Sequence, residues 1–239
     1  MVSLGIGEID KFPFIDPPEP RLAGDGYRLL RELRAVNPNK RLTSTGKLLA
    51  RLPIKPRLGR TLLAAAQIGS LTEVLVIVTA LAVQDPRERP FDKRQAADEQ
   101  HARFNQKHSD FSALLELWDF LETQSEELSQ SALRRLCRKE FINYKRWREW
   151  RDLHRQLKLS LRELGFTSHS TASEYDEIHR ALLSGKSQLR ESASRSGIEI
   201  SPTLKRFGLL KMTFSATPWQ RQKRRTIGHP GAKKLSSCR

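Results

Sequence analysis

Ser70-Leu71-Thr72-Glu73-Val74-Leu75-Val76-Ile77-Val78-Thr79-Ala80-Leu81-Ala82-Val83 is the stretch on which the fold turns. Ser70 and Glu73 stand three apart, the spacing of a capping box, in which each side chain serves the other's orphan amide. The residues after the cap, to about Gln84, are apolar nearly all round. A helix of that kind belongs in the buried centre of a bundle rather than on a surface. The apolar run Val74 to Val83 is ~10 residues, too short to span a bilayer. The stretch therefore predicts a mostly α fold built around this helix.

The flanking sequence supplies partners for it. Arg57 to Ile68 reads as one helix, with Gly69 as its terminator. Asp92 to Phe104 is polar with few apolar anchors. Ser109 is placed to cap a further helix, with Phe111, Leu114, Leu115, Trp118 and Leu121 recurring on one face. Ser131 to Leu164 is the longest helical stretch, ~50 Å if unbroken. Gly165 ends it, Thr167 to Ser173 is a polar linker, and Tyr175 to Ser184 is a last short helix. Upstream, the prolines of Leu4 to Pro20 favour an extended lead-in. Asp25 to Val36 reads as a helix, Leu42 leads into the capping cluster Thr43-Ser44-Thr45, and a short helix runs to Leu52 before Pro53 and Pro56. Helix, short strand and helix in about 60 residues is the size of a winged-helix unit.

The chain has 239 residues and a formal net charge of +16, unevenly spread. Residues 1–60 carry 12 basic and 6 acidic side chains, and residues 61–130 carry 6 and 12. Residues 131–185 carry 12 and 7, and residues 186–239 carry 13 and 2. Such an excess points to a polyanionic partner, with nucleic acid first. The last block is Ser- and Arg-rich with weak periodicity and reads as mostly disordered. Cys137 and Cys238 have no metal-ligand spacing and suit a reducing cytosol. Met1 to Asp10 has neither the basic nor the long apolar part of a signal peptide.

Candidate chemistry is sparse. Thr45-Gly46-Lys47 has the end of a phosphate-binding loop, but Arg41 and Leu48 occupy the places of its first Gly and its hydroxyl residue. Asp176-Glu177-Ile178-His179 spells a helicase DExH, yet no apolar strand precedes it and no phosphate loop lies upstream. The histidines form no zinc-binding spacing. These patterns predict no catalytic residue, no metal site and no cofactor site. Positive content lies in the basic aromatic helix. Lys145, Arg146, Arg148, Arg151 and Arg155 are candidates to neutralise backbone phosphates. Tyr144, Trp147 and Trp150 could stack on unpaired bases, although aromatics at helical spacing are more often core.

Several spaced motifs recur in the order found in a known family. They are Phe12-Pro13-Phe14-Ile15-Asp16-Pro17-Pro18, Leu42-Thr43 with Gly46 and Ala50, Leu52-Pro53, Gln84-Asp85-Pro86-Arg87-Glu88-Arg89-Pro90, His108-Ser109-Asp110, and Asn143, Arg148, Gln156 and Leu157. Over about residues 4–185 the chain resembles the region after the ATPase core of bacterial DEAH-box RNA helicases of the HrpA type. The resemblance implies a winged-helix domain at 1–55 that braces a RecA-like domain. It implies a helical-bundle, ratchet-like domain at 56–185 that holds single-stranded RNA, and leaves 186–239 as a basic tail. The family uses ATP and Mg in RecA-like domains whose motifs these 239 residues lack. The expectation is thus an internal, cytoplasmic, RNA-guiding fragment of an ATP-dependent helicase with an aberrant tail, inactive as an enzyme by itself. Its expected partners are single-stranded RNA and RecA-like helicase domains, with no membrane. Two further readings stand beside it: a stand-alone nucleic-acid-binding module, and a scaffold that docks a separate helicase core.

Overall fold

The computed structural model describes residues 1–7, 9, 12–104, 109–167 and 173–184. They all fall within one compact unit, Met1–Glu199. The expected basic tail, 186–239, lies outside the described residues. The helices are α1 (Pro20–Glu32), α2 (Ser44–Arg51), α3 (Pro56–Ile68), α4 (Leu71–Ala82), α5 (Arg94–Ala102), α6 (Asp110–Glu127), α7 (Gln130–Lys139), α8 (Tyr144–Glu163) and α9 (Tyr175–Ser184). Extended pairing among the described residues is confined to two isolated antiparallel bridges, Val36 with Leu42 and Arg87 with Ile142. The fold is mostly α, as the sequence predicts.

α4 is the centre of the bundle. Val74 to Ala80 are buried without exception, and α3, α6, α8 and α9 all pack on it. One cluster of buried apolar side chains runs from Leu33 through Leu62, Ile77, Leu117 and Trp150 to Ala181. Thr79, the polar residue inside α4, returns its hydroxyl to the carbonyls of Leu75 and Val76. Its oxygen also accepts from Trp150 Nε1 at 3.0 Å. Helical backbone and indole are thus satisfied together in an apolar setting, where an unpaired polar atom would be costly.

Local departures from the sequence reading have identifiable causes. The capping box does not form. Ser70 is the N-cap of α4, but its hydroxyl is buried without a partner. Glu73 turns instead to Ser173, accepting from its amide and its hydroxyl, both at 2.9 Å. A contact 100 residues away in sequence has outcompeted the local one. Ser109 behaves alike. It stands at the N-cap of α6, yet its hydroxyl pairs with His179 Nε2 at 2.9 Å. His179 Nδ1 lies 2.8 Å from the Tyr175 carbonyl, which can only accept, so Nδ1 carries the proton and Nε2 accepts from Ser109. Both residues are buried. This Ser–His pair fastens α9 to the start of α6 and is closed to substrate. His179 sits inside α9, so the Asp176–His179 run is helical, in keeping with its rejection as a DExH strand end.

α1 starts at Pro20, five residues earlier than the apolar pattern alone predicts, because Pro is favoured in a first turn. It stops at Glu32, and Arg34 adopts a left-handed φ of 55°. The predicted single helix over 131–164 is two. α7 ends at Lys139, Phe141 is left-handed at φ 53°, and Asn143 restarts the chain by accepting from the amides of Lys145 and Arg146.

Candidate nucleic-acid interface

The break between α7 and α8 is pinned from outside. The Asp85–Glu88 segment runs antiparallel to residues 141–143. Glu88 donates its amide to the Phe141 carbonyl at 2.7 Å, and Asn143 donates its own to the Pro86 carbonyl at 2.7 Å. Asn143 Nδ2 also donates to Glu88 Oε1 at 2.7 Å. Asp85 and Arg87 form a two-pronged pair beside them. Burial alone would raise the Asp85 pKa, but the hydrogen bonds and charge of Arg87 outweigh it and hold the carboxyl below its ordinary value. The Gln84–Pro90 motif therefore acts as a clasp that fixes where α7 stops and at what angle α8 departs.

That geometry makes an open groove of about 960 Å³ between the two helices. Arg134 and Arg138, one turn apart on α7, line it together with Lys145 and Arg148 at the start of α8. Tyr144 is half-buried in the groove, and the Arg134 guanidinium stands 5.1 Å from its ring centre. Glu88, Glu149 and Asp152 also border it. Glu88 is engaged by Asn143, while Glu149 and Asp152 are exposed. The groove offers four cations, one aromatic face and a few acceptors, which is a composition suited to a phosphate backbone with unpaired bases.

The five predicted phosphate ligands divide. Lys145 and Arg148 line the groove, and Arg155 is exposed farther along α8. Arg146 donates from Nη1 to the Asp85 carbonyl at 3.1 Å, so it serves the clasp. Arg151 lies over the Trp147 ring at 5.9 Å. Trp147 and Trp150 are core, each 0% exposed, and meet Trp118 edge-on at 5.1 and 5.0 Å. They are closed to bases, which leaves Tyr144, half-buried at the groove, as the one of the three that is not fully buried. Arg134 and Arg138 are groove residues that the sequence pattern does not single out, because along one unbroken helix they would not turn back to face Lys145 and Arg148. The available signal was Asn143, a good N-cap inside the apparent helix.

Other titratable groups in the bundle are structural. His154 packs on Trp118 at 4.6 Å. Burial, with lesser contributions from Lys158 and Arg155, lowers its pKa to about 4, so the ring is neutral. Burial raises the Cys137 thiol to about 11, which makes it a poor nucleophile. Among the described residues no group of acidic, His and Cys side chains could hold a metal ion, and no helix is long and apolar enough to cross a membrane.

The stretch holding the clasp and α7 also carries a sequence match. Residues 55–143 match the helicase associated domain (HA2), ratchet-like. The whole resembles the post-motor region of HrpA-type RNA helicases. The chain is 47% identical over 190 residues to the ATP-dependent RNA helicase HrpA of Escherichia coli (strain K12), an alignment covering 77% of this chain and 15% of that protein. It is 46% identical over 192 residues to the ATP-dependent RNA helicase HrpA homolog of Haemophilus influenzae (strain ATCC 51907 / DSM 11121 / KW20 / Rd), with the same coverage. The chain thus spans about 15% of the length of these HrpA relatives. The ratchet-like match takes in α3 to α7 and stops at Asn143, the cap of α8.

Proposed function

We propose that this chain is the RNA-guiding accessory part of an ATP-dependent, HrpA-type helicase, and that single-stranded RNA lies in the groove between α7 and α8. The observation that carries the reading is the convergence of Arg134, Arg138, Lys145 and Arg148 around Tyr144, at the edge of the ratchet-like match. Cations from two helices would track successive phosphates while the Tyr144–Arg134 pair supports a base. On this reading residues 1–55 form the winged-helix unit and 56–185 the bundle. ATP turnover belongs to RecA-like domains in the cytoplasm, and the groove keeps RNA against them. The test is binding of oligouridylate to the full chain and to R138E/R148E, followed by fluorescence anisotropy. A drop of about tenfold or more is expected from reversing two phosphate contacts. Unchanged affinity would remove the groove from the RNA path.

A second reading, docking to a separate motor, is favoured by the lead-in. Ile15 is 106% exposed, and Phe12 and Phe14 pack on each other at 4.7 Å. An exposed apolar segment of this kind suits a protein partner. Ile15→Asp should abolish co-purification with RecA-like HrpA domains if the lead-in is the contact. Retained co-purification would place that contact elsewhere.

A further inference from the structure

We propose that Glu149 and Asp152 make the α7–α8 groove select RNA strands whose bases carry an amino group, with cytidine above uridine. The inference rests on the reading that single-stranded RNA lies in that groove. The two walls of the groove differ. α7 contributes Arg134 and Arg138, and no carboxylate occurs anywhere in Gln130–Lys139. α8 contributes Lys145 and Arg148, but also Tyr144 and the carboxylates Glu149 and Asp152. A carboxylate beside a phosphate is unfavourable, because like charges repel. A groove that met the sugar-phosphate backbone alone would gain nothing from two of them.

The third acid at the groove, Glu88, has a structural task, since its Oε1 accepts from Asn143 Nδ2 at 2.7 Å. Glu149 and Asp152 have none of this kind. Both are exposed, and among the described residues no hydrogen bond or ion pair engages either of them. They stand three apart on α8, neighbours on its surface and about 4.5 Å apart along its axis. Tyr144 precedes Glu149 by five residues, about 7.5 Å along the same axis. All three border the one groove, so a strand with a base against Tyr144 carries its next bases to the carboxylates. The strand is thereby oriented. Its phosphates follow the cationic α7 wall, and its bases face α8.

A carboxylate accepts hydrogen bonds and donates none. Cytosine presents an amino donor at N4, where a uracil ring, like thymine, presents the acceptor O4. The cytosine amine donates to Glu149 or Asp152, as carboxylates elsewhere read cytosine N4. The uracil O4 meets the same carboxylates acceptor to acceptor and is disfavoured. The two pyrimidines are alike in size, so contacts of the ring with Tyr144 and of the phosphates with α7 are common to both. Selection therefore falls on the group at C4.

The test compares three RNA hexamers on the full chain by fluorescence anisotropy: hexacytidylate, hexauridylate and a hexamer of N4,N4-dimethylcytidine. Hexacytidylate should bind about tenfold more tightly than hexauridylate, the discrimination of one good contact to a base edge. The dimethylated strand keeps the ring but has lost both N–H donors, and should fall to the uridylate level. E149Q/D152N keeps the shape of both side chains, while its amides donate as well as accept. The ratio of cytidylate to uridylate affinity should drop to about one in this variant. Both positions are exposed, and an unchanged Tm checks that the variant is folded. Equal binding of cytidylate and uridylate by the wild-type chain overturns the proposal. So does a preference that persists in E149Q/D152N, or that extends to the dimethylated strand. Cations outside the groove meet phosphates, which carry no base information, so they leave the ratio unchanged. The groove itself is decided separately by hexauridylate binding to R138E/R148E. Weakened binding there, with equal wild-type affinity for the two pyrimidine strands, keeps RNA in the groove and removes the selection by carboxylates.

Discussion

Two positions near α2 show how single residues set the backbone. Thr43 Oγ1 accepts from the Gly46 amide at 3.0 Å and donates to the Arg34 carbonyl at 2.6 Å. A Cβ on Gly46 would run into the carbonyl of Ala35, a backbone group that cannot step aside. Gly46→Ala should therefore cost about 2 kcal/mol or more, read as a lowered denaturation midpoint. Arg34 calls for the opposite change. It follows the end of α1 at a positive φ where glycine is the usual choice. Arg34→Gly should stabilise by about 0.5–1 kcal/mol, since the strain relieved exceeds the added freedom of the unfolded chain. His154 gives the pH dependence. Its folded pKa, about 4, lies below the ordinary 6.5, so the unfolded chain binds the proton more readily. Its contribution is present above pH 6.5 and is lost as pH falls from there toward about 4. His154→Phe keeps a ring against Trp118, so the wild-type Tm should drop relative to the variant's across that window. Parallel Tm curves would contradict the assignment.

At the scale of elements, the clasp is where sequence and structure part. The apolar all-round α4, the terminators Gly69 and Gly165 and the last helix Tyr175–Ser184 were legible because each depends on a local signal. Gly69 and Gly165 indeed take φ values of 97° and 84°. At the α7–α8 break the one local signal is the Asn143 cap, and the contacts that fix the break are distant. Arg87 pairs with Ile142, and Glu88 with Asn143 55 residues away. Half of the groove cations were hidden with it. Lys145 and Arg148 were readable on one helix face, whereas Arg134 and Arg138 join them when the chain turns. If the clasp holds the break, Glu88 and Asn143 should be coupled. Glu88→Ala and Asn143→Ala would each destabilise, and the double-mutant cycle should return about 1 kcal/mol of interaction. Additive losses would mean that the bridge at Arg87 and Ile142 suffices alone.

Across the whole molecule the charges are sorted by element. α6 carries Asp110, Glu116, Asp119, Glu122, Glu126 and Glu127 and no Lys or Arg. Burial, then the charges of Glu116 and Glu73, push the Asp119 carboxyl above its ordinary value. α8 has the reverse balance, with Lys145, Arg146, Arg148, Arg151, Arg155, Lys158 and Arg162 against Glu149, Asp152 and Glu163. On the proposed function, a strand of RNA drawn to the α7–α8 side would be repelled from α6, and the acidic helix would narrow the orientations in which RNA can approach. Residues 186–239 carry 13 basic and 2 acidic side chains, a charge excess that would by itself attract a polyanion. The two contributions separate in a salt series on the full chain. Each phosphate contact on a single strand adds about 0.7 to the slope of log affinity against log salt. Replacing Arg138 and Arg148 by Gln should lower that slope by about 1.4 if both meet phosphates. A slope that does not move would assign the binding to cations outside the groove, and the ordered surface of α7 and α8 would then have to be explained by a protein neighbour.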